Sequence, residues 1–157
     1  MAADSPALHH YGLVVPNLSQ AVEFYTRVFG YTVVKNGGWK SDNTTFNRML
    51  NLVESAANVA VLQLDNSYLE IFEFDEVSST SASAPPNALG LRHMAYQVKN
   101  PSATLKKLIA AGGSQLGELT SVKNGATAVY CRDPFGNIIE LIKPGGALPP
   151  LPNKATA

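Results

Sequence analysis

The chain repeats itself. Residues 10–19, HYGLVVPNLS, lie over residues 93–102, HMAYQVKNPS, at a constant offset of 83, with Val15 on Val98, Asn17 on Asn100 and Ser19 on Ser102. The same offset carries Gly30 of VFGYTVV onto Gly113 of AAGGSQL, so the segment between opening strand and glycine is equally long in both copies. A repeat of this kind constrains the fold more than any local propensity does, because each copy has to build the same supersecondary unit.

In each copy an Asn or Ser precedes a helical pattern and can accept from its first free N–H groups, and glycine follows the last turn. The spacing predicts helices over 18–29 and 102–111, with apolar stripes at Val22, Tyr25 and Phe29 and at Leu105, Leu108 and Ile109. Strand-like runs follow each helix: YTVVK, NVAVLQL and SYLEIFEF in the first copy, SQLGEL, ATAVYCR and NIIELIK in the second. Each half therefore reads β-α-β-β-β, an α+β fold class. A second match, YLEI over IIEL, puts Glu70 on Glu140 at an offset of 70. The offset has shrunk by 13 residues, which places an insertion in the first half over 36–55, containing Trp39, Asp42 and Arg48. Long loops inside small domains often serve as lids or binding loops, and a partner-facing loop is the alternative.

These observations predict an N-terminal segment 1–7 without fixed structure, a first module 8–76, a linker 77–89 rich in Ser, Ala and Pro, a second module 90–143 and a Pro-rich tail 144–157. That tail would be a disordered end or an extended arm over a neighbouring subunit. Twelve basic and twelve acidic residues cancel, with no aromatic-interleaved basic cluster, so a nucleic-acid partner is not expected. No window approaches the ~20 apolar residues of a membrane span, and MAADSPAL lacks the pattern of a secretory leader, so a cytoplasmic location is expected. The single cysteine, Cys131, sits in a strand-like run and reads as a packed thiol.

Alternation along the opening strands separates the histidines. Tyr11, Leu13 and Val15, with Met94, Tyr96 and Val98, form a bulky parity suited to packing beneath a helix. His10, Gly12 and Val14, with His93, Ala95 and Gln97, form the smaller and more polar one. His10 and His93 thus share a face at duplicated places, and His9 has the opposite parity. Glu70 and Glu140 stand inside the apolar runs YLEIF and IIELI, where an unpaired carboxylate costs several kcal/mol to bury. A pseudo-twofold relation between the copies would gather a His2Glu2 set. Imidazole nitrogen and carboxylate oxygen suit zinc, nickel, cobalt, manganese or iron(II), so one divalent metal ion per site is the expected cofactor. Glu73, of opposite parity to Glu70, is expected to face solvent.

The segments HHYGLVVPNLSQAVEFYTRVFGYTVV, YLEIFEF, LRHMAYQVKN and RDPFGNIIELI resemble the vicinal oxygen chelate superfamily, over about residues 8 to 143. That superfamily includes glyoxalase I, methylmalonyl-CoA epimerase, extradiol dioxygenases and bleomycin-resistance proteins. The resemblance implies paired β-α-β-β-β modules forming a curved sheet around a metal site, with His10, Glu70, His93 and Glu140 at the metal-ligand positions. It also implies a small-molecule substrate and a homodimer, with each ligand set drawn from one subunit or two.

Four ligand-competent residues resemble the isomerase, epimerase and lyase branch, in which an enolate or enediolate forms beside a carbonyl. Glu140 is then the first candidate for the base, and Glu54 falls near where epimerases place a second carboxylate. Trp39 and Arg48 of the insertion, and Arg92, are candidate substrate-binding residues. Two features depart from glyoxalase I: Val14 stands about where bacterial glyoxalases carry an arginine for glutathione, and IFEFDEV replaces their Asn-Trp-Gly-like stretch. The alternatives to a metal-dependent lyase or isomerase are a non-catalytic small-molecule binding or resistance protein and an iron(II) extradiol-type dioxygenase.

Overall fold

The computed structural model describes residues 7–65, 67–77, 84–123 and 125–151. It divides into two units, residues 1–80 and 81–157. The expectations for residues 1–6, for 78–83 of the linker and for 152–157 of the tail lie outside the described residues.

The first unit runs β1 (His10–Val14), α1 (Leu18–Phe29), β2 (Thr32–Trp39), α2 (Thr44–Leu50), β3 (Ala57–Leu64) and β4 (Ser67–Phe74). Its sheet has the order β1-β4-β3-β2, with β1 parallel to β4 and the other pairs antiparallel. Asn17 opens α1 by accepting from Gln20 N–H at 2.8 Å, and Gly30, at φ 82°, closes it in the left-handed conformation that glycine adopts without strain. The buried face of α1, Ala21, Phe24, Tyr25 and Val28, meets β3 and β4, where Ala60, Leu62, Leu69 and Ile71 are fully enclosed. Each of the larger side chains among these contributes about 1.5–3 kcal/mol on burial.

The second unit runs β5 (His93–Gln97), α3 (Pro101–Ala110), β6 (Ser114–Gln115), β7 (Thr120–Ser121), β8 (Thr127–Arg132) and β9 (Ile138–Lys143). Its order is β5-β9-β8-β6, with β7 also pairing β8, and β5 is parallel to β9 as β1 is to β4. Asn100 caps α3 through Ala103 N–H at 3.0 Å, with Pro101 at the first helical position, where a missing N–H costs nothing. Leu105 and Leu108 are buried where α3 meets β8 and β9, whose Val129, Cys131, Ile139 and Leu141 are enclosed, whereas Ile109, expected in the apolar stripe, is 47% exposed. The run SQLGEL is not one strand. Leu116 and Gly117 both donate their N–H to the carbonyl of Tyr130, at 2.9 and 3.0 Å, and this bulge splits the edge into β6 and β7.

The insertion 36–55 is more ordered than a loop. Strand β2 continues into it as far as Trp39, and α2 follows, capped by Asn43 through Phe46 N–H at 3.2 Å. At seven residues, α2 is too short for its apolar period to stand out in the sequence.

Candidate functional site

Each half carries one histidine–glutamate pair. In the first, β1 and β4 run side by side with His10 opposite Tyr68 and Gly12 opposite Glu70. In the second, His93 lies opposite Ile138 and Ala95 opposite Glu140. In both, the glutamate stands one same-face step beyond the residue facing the histidine, and the small Gly12 or Ala95 beside it leaves room for the two side chains to meet. They do meet: His10 Nε2 lies 3.3 Å from Glu70 Oε2, and His93 Nε2 lies 3.3 Å from Glu140 Oε2. The strands β1 and β5 alternate identically in exposure, with both histidines on the open parity.

A separation of 3.3 Å suits an imidazolium–carboxylate contact. It also suits two donors on one cation, since ligands about 2.0–2.2 Å from a common ion stand about 3.0–3.5 Å apart when they are neighbours in its shell. The donor chemistry therefore fits a divalent ion. Among the described residues of either half, no group of three or more His, Cys, Asp or Glu side chains gathers, so each half offers a pair.

The surroundings of the pairs differ. His9 contacts His10, with the two Nδ1 atoms 2.8 Å apart, and its ring stacks on Tyr68 at 5.0 Å. The Nδ1 of His10 is thereby occupied and its Nε2 is turned to Glu70, the kind of outer partner that orients a metal-binding imidazole. In the second half, Tyr130 on β8 lies opposite Glu140 and donates its hydroxyl to Glu140 Oε2 at 3.2 Å. Its ring stands edge-on to His93 with centroids 5.1 Å apart. The place equivalent to Tyr130 in the first half, opposite Glu70, is held by Val61. Burial first, then the charge of Glu140 and the hydrogen bond to it, raise the Tyr130 hydroxyl above its ordinary value of 10.0, so the group stays protonated and donates. The Glu140 side chain is 14% exposed against 28% for Glu70.

Trp39 is buried. It stacks on Phe46 of α2 at 4.6 Å, meets Phe72 and Phe74 edge-on, and donates its indole N–H to Ser55 Oγ at 3.1 Å. Ser55 N–H and Oγ both donate to Asn47 Oδ1, at 2.8 and 2.6 Å, and Asn47 Nδ2 donates to the Ser41 carbonyl at 2.8 Å. The insertion is thus tied down over one end of its own sheet. Arg48 is exposed in the last turn of α2, where a cation complements the helix dipole. Arg92 Nε donates to the adjacent Leu91 carbonyl at 3.0 Å. Glu54 is exposed, with φ 48°. Glu73, half-buried, accepts from Asn58 Nδ2 at 3.3 Å. Asp133 of the closing motif RDPFGN is 3% exposed and accepts from Phe135 N–H, Asn137 N–H and Asn137 Nδ2, so it builds the turn that delivers β9. Strand parity, duplicated position and apolar context pointed to the histidines and glutamates; Tyr130 needed the strand register.

Residues 7–141 match the model of the Glyoxalase/Bleomycin resistance protein/Dioxygenase superfamily. The chain is similar to a 2-epi-5-epi-valiolone epimerase of an Actinomyces species, 34% identical over 155 residues that cover 90% of this chain and 81% of that one. It is 30% identical to a probable lactoylglutathione lyase of Vibrio cholerae, with 85% and 88% covered. In fold it is similar to a glyoxalase family protein from Bacillus cereus, with a TM-score of 0.82 at 22% identity, covering 93% of this chain and 99% of the other.

Proposed function

Because the chain belongs to the glyoxalase/bleomycin resistance protein/dioxygenase superfamily, we propose that it is a divalent-metal-dependent isomerase or lyase acting beside a carbonyl of a small oxygenated substrate. His10, Glu70, His93 and Glu140 hold one ion in this reading. The observation that carries it is the duplicated His–Glu pair, built at the same register and the same 3.3 Å spacing in both halves. When bound, a divalent ion supplies Lewis acidity to an oxygen on which negative charge develops.

The similarity to a protein named as an epimerase favours proton removal from, and return to, one carbon beside that carbonyl. Glu140 is the group assigned to take the proton. Glu54, on the insertion, is the candidate for returning it on the other face, and unchanged turnover in Glu54→Gln would remove it from the scheme. Lactoylglutathione lyase chemistry is the second reading, favoured by the 30% identical relative. Against it, the face that carries His10 continues into the half-exposed Val14, opposite Phe72, with no cation there for a glutathione carboxylate. Because each half contributes one pair, a four-ligand set draws on two halves, of one chain or of two. A homodimer is the assembly this reading carries, and light scattering checks it.

The test is metal content by elemental analysis of protein purified without added metal, comparing wild type with Glu140→Ala. Near-stoichiometric nickel, zinc, cobalt or manganese in wild type and its loss in the variant are expected. Candidate substrates are then screened in deuterium oxide for label at the carbon beside the carbonyl. Iron with dioxygen consumption would favour the dioxygenase instead, and no metal even after reconstitution would favour a binding protein.

A further inference from the structure

We infer that Tyr130 is the positioning residue of the second His–Glu pair and that it makes the two pairs unequal, Glu140 taking a phenol hydrogen bond where Glu70 faces Val61. This rests on the metal-dependent reading above. Three observations converge on Tyr130. Its hydroxyl donates to Glu140 Oε2 at 3.2 Å, the same oxygen that lies 3.3 Å from His93 Nε2. Its ring packs edge-on to His93, so one side chain touches both members of the pair. Its backbone is pinned from the opposite side, where Leu116 and Gly117 both donate to its carbonyl and Gln115 Nε2 ties the turn to the Gly117 carbonyl at 2.7 Å.

The first half isolates what matters. There too the edge strand shifts register, between Val33 and Lys35, opposite Leu62 and Val61 of β3. An edge irregularity at this point therefore belongs to the repeat, and the phenol belongs to the second copy alone. Val61 offers Glu70 no hydrogen bond.

A carboxylate whose outer hydrogen bond is removed typically loses 10–100-fold in metal affinity at the site it serves, on the order of what such outer partners contribute elsewhere.

The experiment is calorimetric titration of chelator-stripped full-length protein with manganese(II) and cobalt(II), following the cobalt visible spectrum in parallel. Tyr130→Phe is expected to weaken binding about 10-fold or more and to alter the cobalt spectrum. Val61→Ala, the matching change at the place opposite Glu70, should leave affinity and spectrum unchanged. An equal loss in Val61→Ala, or undiminished affinity in Tyr130→Phe, would overturn the assignment. Tyr130→Met, which fills the space without a hydroxyl, replaces Tyr130→Phe if that variant does not fold. The two readings fail differently: wild type that binds neither metal sinks both, whereas wild type that binds, loses metal in Glu140→Ala and is untouched by Tyr130→Phe sinks only the role of Tyr130.

Discussion

His10 and His93 are reached by the same step from their glutamates, yet their neighbours divide the work differently. His9 occupies the Nδ1 of His10, and Tyr130 occupies an oxygen of Glu140. Replacing His93 by Ala should abolish metal binding and turnover together, whereas His9→Ala should leave stoichiometric metal with affinity reduced by up to about 10-fold, read in the same titration. Cys131 makes a separate prediction. Its thiol is fully enclosed and donates to the Ile139 carbonyl at 3.2 Å; burial, and then the charge of Asp133, push its pKa up to about 12 from 9.0. The native thiol should therefore resist disulfide reagents at pH 8 and react at once in denaturant. Because the folded value is the higher one, the stability linked to Cys131 is present below about pH 9 and declines as pH rises from there toward 12. The urea midpoint should fall across that interval more steeply in wild type than in Cys131→Ala.

At the scale of elements, residues matched by the repeat turn out to serve different physical ends. Gly30 has the left-handed φ of a helix cap and open space around it. At the end of α3 that conformation passes to Gly112, with φ 95°, while Gly113 is needed for close approach: a Cβ there would come within 2.6 Å of the Arg132 carbonyl oxygen and 2.5 Å of Leu108 Cδ2. Gly30→Ala should accordingly cost about 1 kcal/mol, a conformational penalty. Gly113→Ala should cost more, about 1–3 kcal/mol, since backbone must shift. Urea denaturation of the two variants checks the order. The insertion makes its own prediction. Asn47 gathers Ser41, Ser55 and, through Ser55, Trp39. Asn47→Ala should cost about 1–3 kcal/mol and raise amide exchange over residues 41–55 selectively. The helix α2 escaped sequence analysis because its seven residues complete only two turns, and its stability comes from the Trp39–Phe46 stack and the Asn47 network. SQLGEL misled in the opposite sense: its composition suits a strand, and the bulge at Tyr130 interrupts it.

At the scale of the whole molecule, the proposed metal dependence links folding stability to metal concentration. Anything that binds the folded state alone stabilises it by about 2.7 kcal/mol at a free concentration of 100 times Kd. Thermal melts of stripped wild type should therefore rise with added metal, and Glu140→Ala should melt at a temperature independent of it. The sequence by itself determined the repeat, the β-α-β-β-β order, the two helices and the parity that puts His10 and His93 on the open face, because these follow from spacing along one chain and from the periods of helix and strand. It also pointed to Glu70 and Glu140, since a carboxylate inside an apolar run needs a partner. Only the tertiary structure decided which strand lies beside which. That lateral pairing set His10 3.3 Å from Glu70, gave Glu140 the hydroxyl of Tyr130 and gave Glu70 only Val61. Those neighbours are separated by nine to sixty residues along the chain, and no local period records a contact that hydrogen bonding between strands creates.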